Sequence, residues 1–214
     1  VARPRASGAD REAEPLMRRA LMIDEACFGA EHPQVAVVLN NLASLLFATN
    51  RLAEAEPLMR RALAIDETSL GPEHPHVARD LNNLAQVLQR TNRLADAESF
   101  LRRAMSIDEQ SFGPEHPDVA TDLNNLANLL YATNRLEQAE PLLRRAAIIG
   151  LRFTMAAGYS HPNLNEALHN YAIVIQRLRG AGTASSAIQS LGLDARVDES
   201  SFRTILAQAF GELG

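Results

Sequence analysis

The dipeptide His-Pro stands at His32, His74, His116 and His161, at spacings of 42, 42 and 45 residues. Around it three nearly identical blocks line up. They are HPQVAVVLNNLASLLFATNRLAEAEPLMRRALAIDETSLGPE from His32, HPHVARDLNNLAQVLQRTNRLADAESFLRRAMSIDEQSFGPE from His74, and HPDVATDLNNLANLLYATNRLEQAEPLLRRA from His116. A worn fourth copy, HPNLNEALHNYAIVIQRLRG, follows from His161 after three extra residues. Ahead of the first block, REAEPLMRRALMIDEACFGAE matches only the second half of a unit. Self-similarity at a fixed period of this size marks a tandem array of small structural units.

Each unit reads as two helices. In the second, Val77, Leu81, Leu84, Ala85 and Leu88 recur at the three- and four-residue steps of an amphipathic helix. Pro75 suits a first turn, where its missing N–H has no partner to lose, and His74 takes the N-cap. This helix A is expected over Pro75 to Arg90, about 24 Å long at 1.5 Å per residue. Thr91 and Asn92 make the break, Asn tolerating the left-handed conformation at a helix end. Helix B follows with Leu94, Ala97, Leu101, Ala104 and Ile107 as its stripe, and Gly113 stops it. Pro57 and Pro141 fit only if their helices start just upstream, near Ala53 and Glu137. Ala43, Ala85 and Ala127 on A helices, and Ala55, Ala97 and Ala139 on B helices, let the pairs approach closely; a bulky residue there costs about 1–3 kcal/mol. One hairpin cannot bury its own apolar face, so each stacks on the next.

The pattern Leu-x-x-Leu-Ala-x-x-Leu, then Asn-x-Leu-x-x-Ala, then Arg-Arg-Ala resembles the tetratricopeptide repeat. The longer period, with its HP, LNNLA and AEPLxxRAL blocks, is similar to the kinesin-light-chain-type subclass. The resemblance covers residues 11–179 and implies an all-α, right-handed superhelical solenoid of antiparallel helix pairs. The expected organisation is a disordered segment or truncated repeat at 1–10, a lone helix B at 11–31, and repeats at 32–73, 74–115 and 116–160. Helix A of a degenerate fourth repeat occupies 161–179, and 180–214 forms a loop and a C-terminal capping helix. Phe202, Ile205, Leu206, Ala209 and Phe210 make the stripe of that last helix, after Ser200 or Ser201 as N-cap.

Composition narrows the function. The net charge of −5 lacks the dense basic footprint of a phosphate-backbone binder, and 5% aromatics with no Trp give little for base stacking, so no nucleic acid is expected. All 21 basic residues are Arg, so there is no catalytic lysine. The single Cys27 excludes an intrachain disulfide and any multi-thiolate metal site. No apolar run approaches the roughly 18–20 residues of a membrane span, and VARPRASGADRE lacks the apolar core of a signal peptide. A soluble, cytoplasmic protein without membrane contact follows as the expectation.

The recurrent histidines sit a full unit apart, too far to share a metal ion, and read as N-caps. Cys27 has Asp24 and Glu25 beside it, the wrong sign for a reactive thiolate. There is no Gly-x-Ser-x-Gly elbow, P-loop or dinucleotide fingerprint. The pairs Asp24-Glu25, Asp66-Glu67 and Asp108-Glu109 recur with the repeat and read as a solvated helix face. No enzyme, no cofactor and no metal are expected.

The informative polar residues lie on helix A. Arg79, Asn83, Gln86 and Arg90 occur at steps of 4, 3 and 4 and share one stripe. Their equivalents are Val37, Asn41, Ser44 and Ala48, then Thr121, Asn125, Asn128 and Ala132, then Glu166, Asn170, Ile173 and Arg177. Asn41, Asn83, Asn125 and Asn170 form a ladder of a residue that helices disfavour, and its amide offers both donors and an acceptor. The first Asn of each pair (Asn40, Asn82, Asn124) reads as structural. In the family, the resemblance implies, helix A lines a concave groove and Asn here clamps a peptide's backbone or terminal carboxylate. By that analogy Asn83 and Asn125 are the clamp, and Arg79 and Arg90 attract acidic groups. Tyr131 and Phe47 supply apolar contact. Unit three has only the uncharged Thr121 and Ala132 where a carboxylate clamp uses basic residues.

The expected function is a non-enzymatic scaffold binding a protein or peptide ligand, including acidic ones, in that groove. Two alternatives stand beside it: a structural segment with self-association, and the recognition arm of a multidomain enzyme or signalling protein.

Overall fold

The computed structural model describes residues 8–180 together with 187, 188, 191 and 204. Eight helices and no strand are found among them: α1 (Gly8–Phe28), α2 (Pro33–Ala48), α3 (Leu52–Leu70), α4 (Pro75–Arg90), α5 (Leu94–Phe112), α6 (Pro117–Ala132), α7 (Leu136–Ala157) and α8 (Leu164–Arg179). The even-numbered helices are the A helices of the repeat and the odd-numbered ones the B helices. The stripe assigned to a C-terminal capping helix, from Phe202 to Phe210, lies outside the described residues, as do residues 1–7.

Local chemistry sets the helix ends. His32, His74 and His116 each hold an extended backbone before a proline. Each Nδ1 accepts the N–H two residues on, at 3.1 Å from Gln34 and 3.2 Å from both His76 and Asp118. One orphan donor of each A helix is thereby satisfied. At the other end Thr49, Thr91 and Thr133 donate their hydroxyls back to the carbonyls four residues earlier, each at 3.0 Å. Asn50, Asn92 and Asn134 then take φ of 60°, 61° and 58°, which reverses the chain into helix B. The B helices carrying Pro57 and Pro141 begin at Leu52 and Leu136, one residue upstream of the expected starts. The first B helix begins earlier than expected, at Gly8, and ends at Phe28.

The chain divides into two compact units, Val1–Ile107 and Asp108–Gly214. In the first, Val35, Ala36, Leu39, Ala62 and Ile65 form one core cluster, with Leu21 and Leu58 against it. Val77, Ala78, Leu81, Ala104 and Ile107 form the next, with Leu63 and Phe100. The two clusters use equivalent positions, as stacking of one repeated hairpin requires. Arginine straps join successive B helices: Arg61 reaches Glu25 at 2.6 Å and the Ala30 carbonyl at 2.8 Å, and Arg103 repeats this on Glu67 and Pro72 at 2.6 and 2.9 Å.

In the second unit α7 packs against both α6 and α8, around Leu123, Leu126, Leu130, Leu143, Ala146, Leu168 and Tyr171. Arg145 makes the same strap, to Glu109 at 2.5 Å and the Pro114 carbonyl at 2.6 Å. Gly150 allows a close approach: a Cβ there would stand 3.1 Å from Leu164 Cδ1.

One expectation is corrected. Asp66 and Asp108 do not belong to a solvated face; they are 1% and 6% exposed, and the A-helix carboxylates Asp80 and Asp122 are buried as well. Only the Glu67 and Glu109 half of each pair reaches solvent, where the arginine straps hold it. Asp80 lies three residues after Val77 and four before Leu84, inside the apolar stripe, so its helix carries it inward.

Candidate functional site

The nine polar and aromatic residues singled out on the A helices fall into two sets. Unit 1 holds Asn41 on α2 with Arg79, Asn83, Gln86 and Arg90 on α4; unit 2 holds Asn125, Asn128 and Tyr131 on α6 with Asn170 on α8. Asn41, Gln86, Arg79 and Arg90 are exposed, and the others are half-buried.

In unit 1 the two arginines serve different ends. Arg79 turns onto the buried acids, donating to Asp80 Oδ1 at 3.0 Å and to Asp66 Oδ2 at 3.3 Å. Asn40 donates to the same Asp80 Oδ1 at 2.7 Å from α2. Burial pushes the Asp80 carboxyl up to about 6, against the pull of Arg79. Asp66 also faces the His76 imidazole at 3.8 Å, whose own pKa burial lowers. Arg90, by contrast, lies over the Phe47 ring at 5.4 Å from its centroid and donates to Asn50 Oδ1 at 2.7 Å. Its charge stays at the surface of the A-helix face.

In unit 2 the amides form a chain. Asn170 donates to Asn128 Oδ1 at 2.8 Å and to Asn124 Oδ1 at 3.3 Å; Asn128 donates to Glu166 at 3.0 Å. Asn163 adds a bond to Thr121 at 3.0 Å. Arg177 lies over the Tyr131 ring at 4.7 Å. The stacked arginine thus recurs: a second A helix sends it over an aromatic ring of the first, Arg90 over Phe47 and Arg177 over Tyr131. Sequence reasoning placed Arg177 on the stripe without assigning it a role. The signal was there in its position, equivalent to Arg90, one residue on from the place equivalent to Tyr131.

Sequence reasoning also missed the buried acids. Asp108, like Asp80, is pushed up to about 6 by burial, and bonds to Asp122. No group of three His, Cys, Asp or Glu side chains able to hold a metal ion is found among the described residues. No helix among them is long and apolar enough to cross a membrane.

Comparison with known proteins gives the following. The tetratricopeptide repeat family model matches residues 5–68, 51–110 and 81–147. No curated protein matches the sequence. Among solved structures, BtubC (BKLC) from P. vanneervenii is similar with a TM-score of 0.75 and 23% identity, over 93% of this chain and 75% of that one. A Podosopora anserina kinesin light chain protein with nearly identical TPR-like repeats follows, with a TM-score of 0.68 and 24% identity, over 95% and 90%. The apo form of RapI gives 0.67 and 14%, and this chain covers 95% of itself but 55% of RapI. At these identities the likeness is one of fold.

Proposed function

The chain belongs to the tetratricopeptide repeat family, generally protein-interaction scaffolds, and on that premise we propose that it binds an extended peptide segment along the faces of its A helices. The observation that carries this reading is the same device in both units: side-chain amides at helical spacing beside an arginine stacked on an aromatic ring. Asn41, Asn83, Asn125 and Asn170 offer main-chain hydrogen bonds, with Gln86 and Asn128 beside them and Tyr131 as apolar contact. Because Arg79 is shared with Asp66 and Asp80, attraction of acidic groups in unit 1 falls to Arg90. No catalytic role is assigned to any residue, and a cytoplasmic location goes with the exposed thiol of Cys27.

The test is a peptide selected by random display on the 214-residue chain, titrated against the Asn83→Ala, Asn125→Ala double variant. Loss of binding with unchanged helicity and melting supports the reading; undiminished binding refutes it.

Self-association is a second reading, favoured by one observation. On α1, Leu16 is 67% and Ile23 50% exposed, whereas Ile65 and Ile107 at the place of Ile23 are fully buried. Such an apolar strip marks an interaction surface. Light scattering across a concentration series decides it: a mass that stays monomeric removes this reading.

A further inference from the structure

Ala13, Leu16, Met17, Ala20 and Ile23 of α1 repeat Ala55, Leu58, Met59, Ala62 and Ile65 of α3 residue for residue. On α3 this stripe is covered. Ala55, Met59, Ala62 and Ile65 are buried, and Leu58, Ala62 and Ile65 pack with Val35, Ala36 and Leu39 of α2. Ala104 and Ile107 of α5 meet Val77, Ala78 and Leu81 of α4 in the same way, with Phe100 at the place of Leu58. On α1 the stripe is open: Leu16 and Ile23 are exposed, and Ala13, Met17 and Ala20 are half-buried. The residue of α1 that packs toward α2 is Leu21, the counterpart of Leu63, which packs toward α4. That contact uses another side of the helix and leaves the stripe bare.

The two covered copies define what fits. Both α2 and α4 present Val-Ala-x-x-Leu-x-x-Leu-Ala-x-x-Leu, from Val35 to Leu46 and from Val77 to Leu88, and every named residue of that row is buried. The Val-Ala end of α2 lies against Ala62 and Ile65, late in α3, so the two helices run antiparallel. Alanines face the contact from both sides, Ala43 and Ala85 on the A helices and Ala55 and Ala97 on the B helices, and a larger residue there would push the pair apart. A second copy of this chain has no such helix to offer. Among the described residues the row is buried in α2, α4 and α6 alike, and freeing one would open its own hairpin.

We propose that the open stripe of α1 docks an amphipathic helix bearing this Val-Ala, Leu, Leu-Ala, Leu row, presented by a different polypeptide. The bound helix runs antiparallel to α1, with its Val-Ala end over Ala20 and Ile23 and its later leucines over Ala13 and Met17. Burial of hydrocarbon drives the contact, most of it at Leu16 and Ile23. Selectivity comes from Ala13 and Ala20, which demand an alanine opposite and reject helices that carry a bulky residue there. The proposal shares its surface with the self-association reading and differs in the partner, so the two are separable by experiment.

The test titrates the isotope-labelled full chain with the acetylated, amidated peptide HPHVARDLNNLAQVLQRTN, the sequence of α4 with its cap and turn. Methyl resonances of Ala13, Leu16, Met17, Ala20 and Ile23 should move, and the peptide should gain helicity on binding. The Leu16→Glu, Ile23→Glu double variant should melt as the parent does, since both positions are exposed, and should bind the peptide at least about tenfold more weakly, the scale of one apolar side chain left unburied. A peptide with Leu81→Glu and Leu84→Glu should fail to bind, and one with Ala85→Trp should lose about as much as the double variant. Absence of binding by the parent peptide, or equal binding by the double variant or by the charged peptide, overturns the proposal. Shifts on Ala104 and Ile107 in place of α1 also overturn it, because they mark exchange with the chain's own α4. So does a dimer, seen by light scattering, that Leu16→Glu and Ile23→Glu dissolve: the strip then belongs to a second copy. A monomer that binds the peptide on α1 supports the proposal and removes the self-association reading.

Discussion

The Asn40 amide donates to Asp80 Oδ1 at 2.7 Å, and both side chains are buried between α2 and α4. The bond joins two A helices whose apolar stripes alone would leave their register to hydrocarbon packing. The pair makes this one bond only in the observed alignment and would lose it in any other, while Asn40 Oδ1 and Asp80 Oδ2 stay buried without a partner.

Asn40→Ala is therefore expected to destabilise the protein by about 1.5–3 kcal/mol, the range for a hydrogen bond to a charged group. Asp80→Val should cost less than Asp80→Ala, because Val38 occupies the equivalent place in the first repeat and fills the volume. Urea unfolding of the three variants checks both orderings.

The same carboxylate sets a pH dependence. Burial raises Asp80 and Asp108 to about 6 in the folded protein, above about 3.9 for an unfolded aspartate. A raised folded pKa means that the fold prefers the protonated acid, so this contribution to stability is complete below about pH 4 and is lost as the pH rises toward about 6. Facing Asp80 are Asp66, Arg79 and Asn40, with His76 beside Asp66. Facing Asp108 are Asp122, Asp118 and His116. Glu14 and Glu56, held below the usual carboxylate range by bonds from Arg51 and Arg93, act in the opposite sense and lose their contribution as the pH falls through their folded values. Melting temperatures are expected to rise from pH 7 to pH 5. The Asp80→Asn, Asp108→Asn double variant should flatten that rise; an unchanged slope would show that the buried acids do not cause it.

Each His cap should be worth about 1 kcal/mol, the usual value of an N-cap acceptor. His74→Ala and His116→Ala are expected to lower stability by that amount, and His116→Asn to restore most of it, since a carboxamide oxygen can accept the same N–H. Thermal unfolding distinguishes this from a packing role, in which Asn would not rescue.

Asn92 and Asn134 sit at φ of 61° and 58°. Replacing either by Gly should be neutral within a few tenths of a kcal/mol, and replacing either by Val should cost about 1–2 kcal/mol, the penalty of a left-handed residue with a branched Cβ.

The helices, their caps and the Asn turn were legible in the sequence because each rests on contacts within a few residues. The span of Pro75 to Arg90, the His74 cap and the reversal at Asn92 all follow from neighbours in the chain. Asp66 and Asp80 were not, because their burial depends on Asn40, forty residues before Asp80, and on an arginine that reads as a ligand-facing charge until its partners are seen. The stacking of Arg177 on Tyr131 was hidden for the same reason: both residues read as exposed, and only helix packing brings them together. Periodicity could have flagged Asp80, which stands inside the Val77–Leu81–Leu84 stripe.

The measurement that tests the central claim most directly is resonance mapping of a display-selected peptide on the labelled full chain. Shifts gathered on Asn83, Gln86 and Arg90 of α4 and on Asn128, Tyr131 and Asn170 of α6 and α8 are the expected result. Shifts gathered instead on the outer B-helix residues, such as Arg60, Arg102 or Arg144, would contradict it.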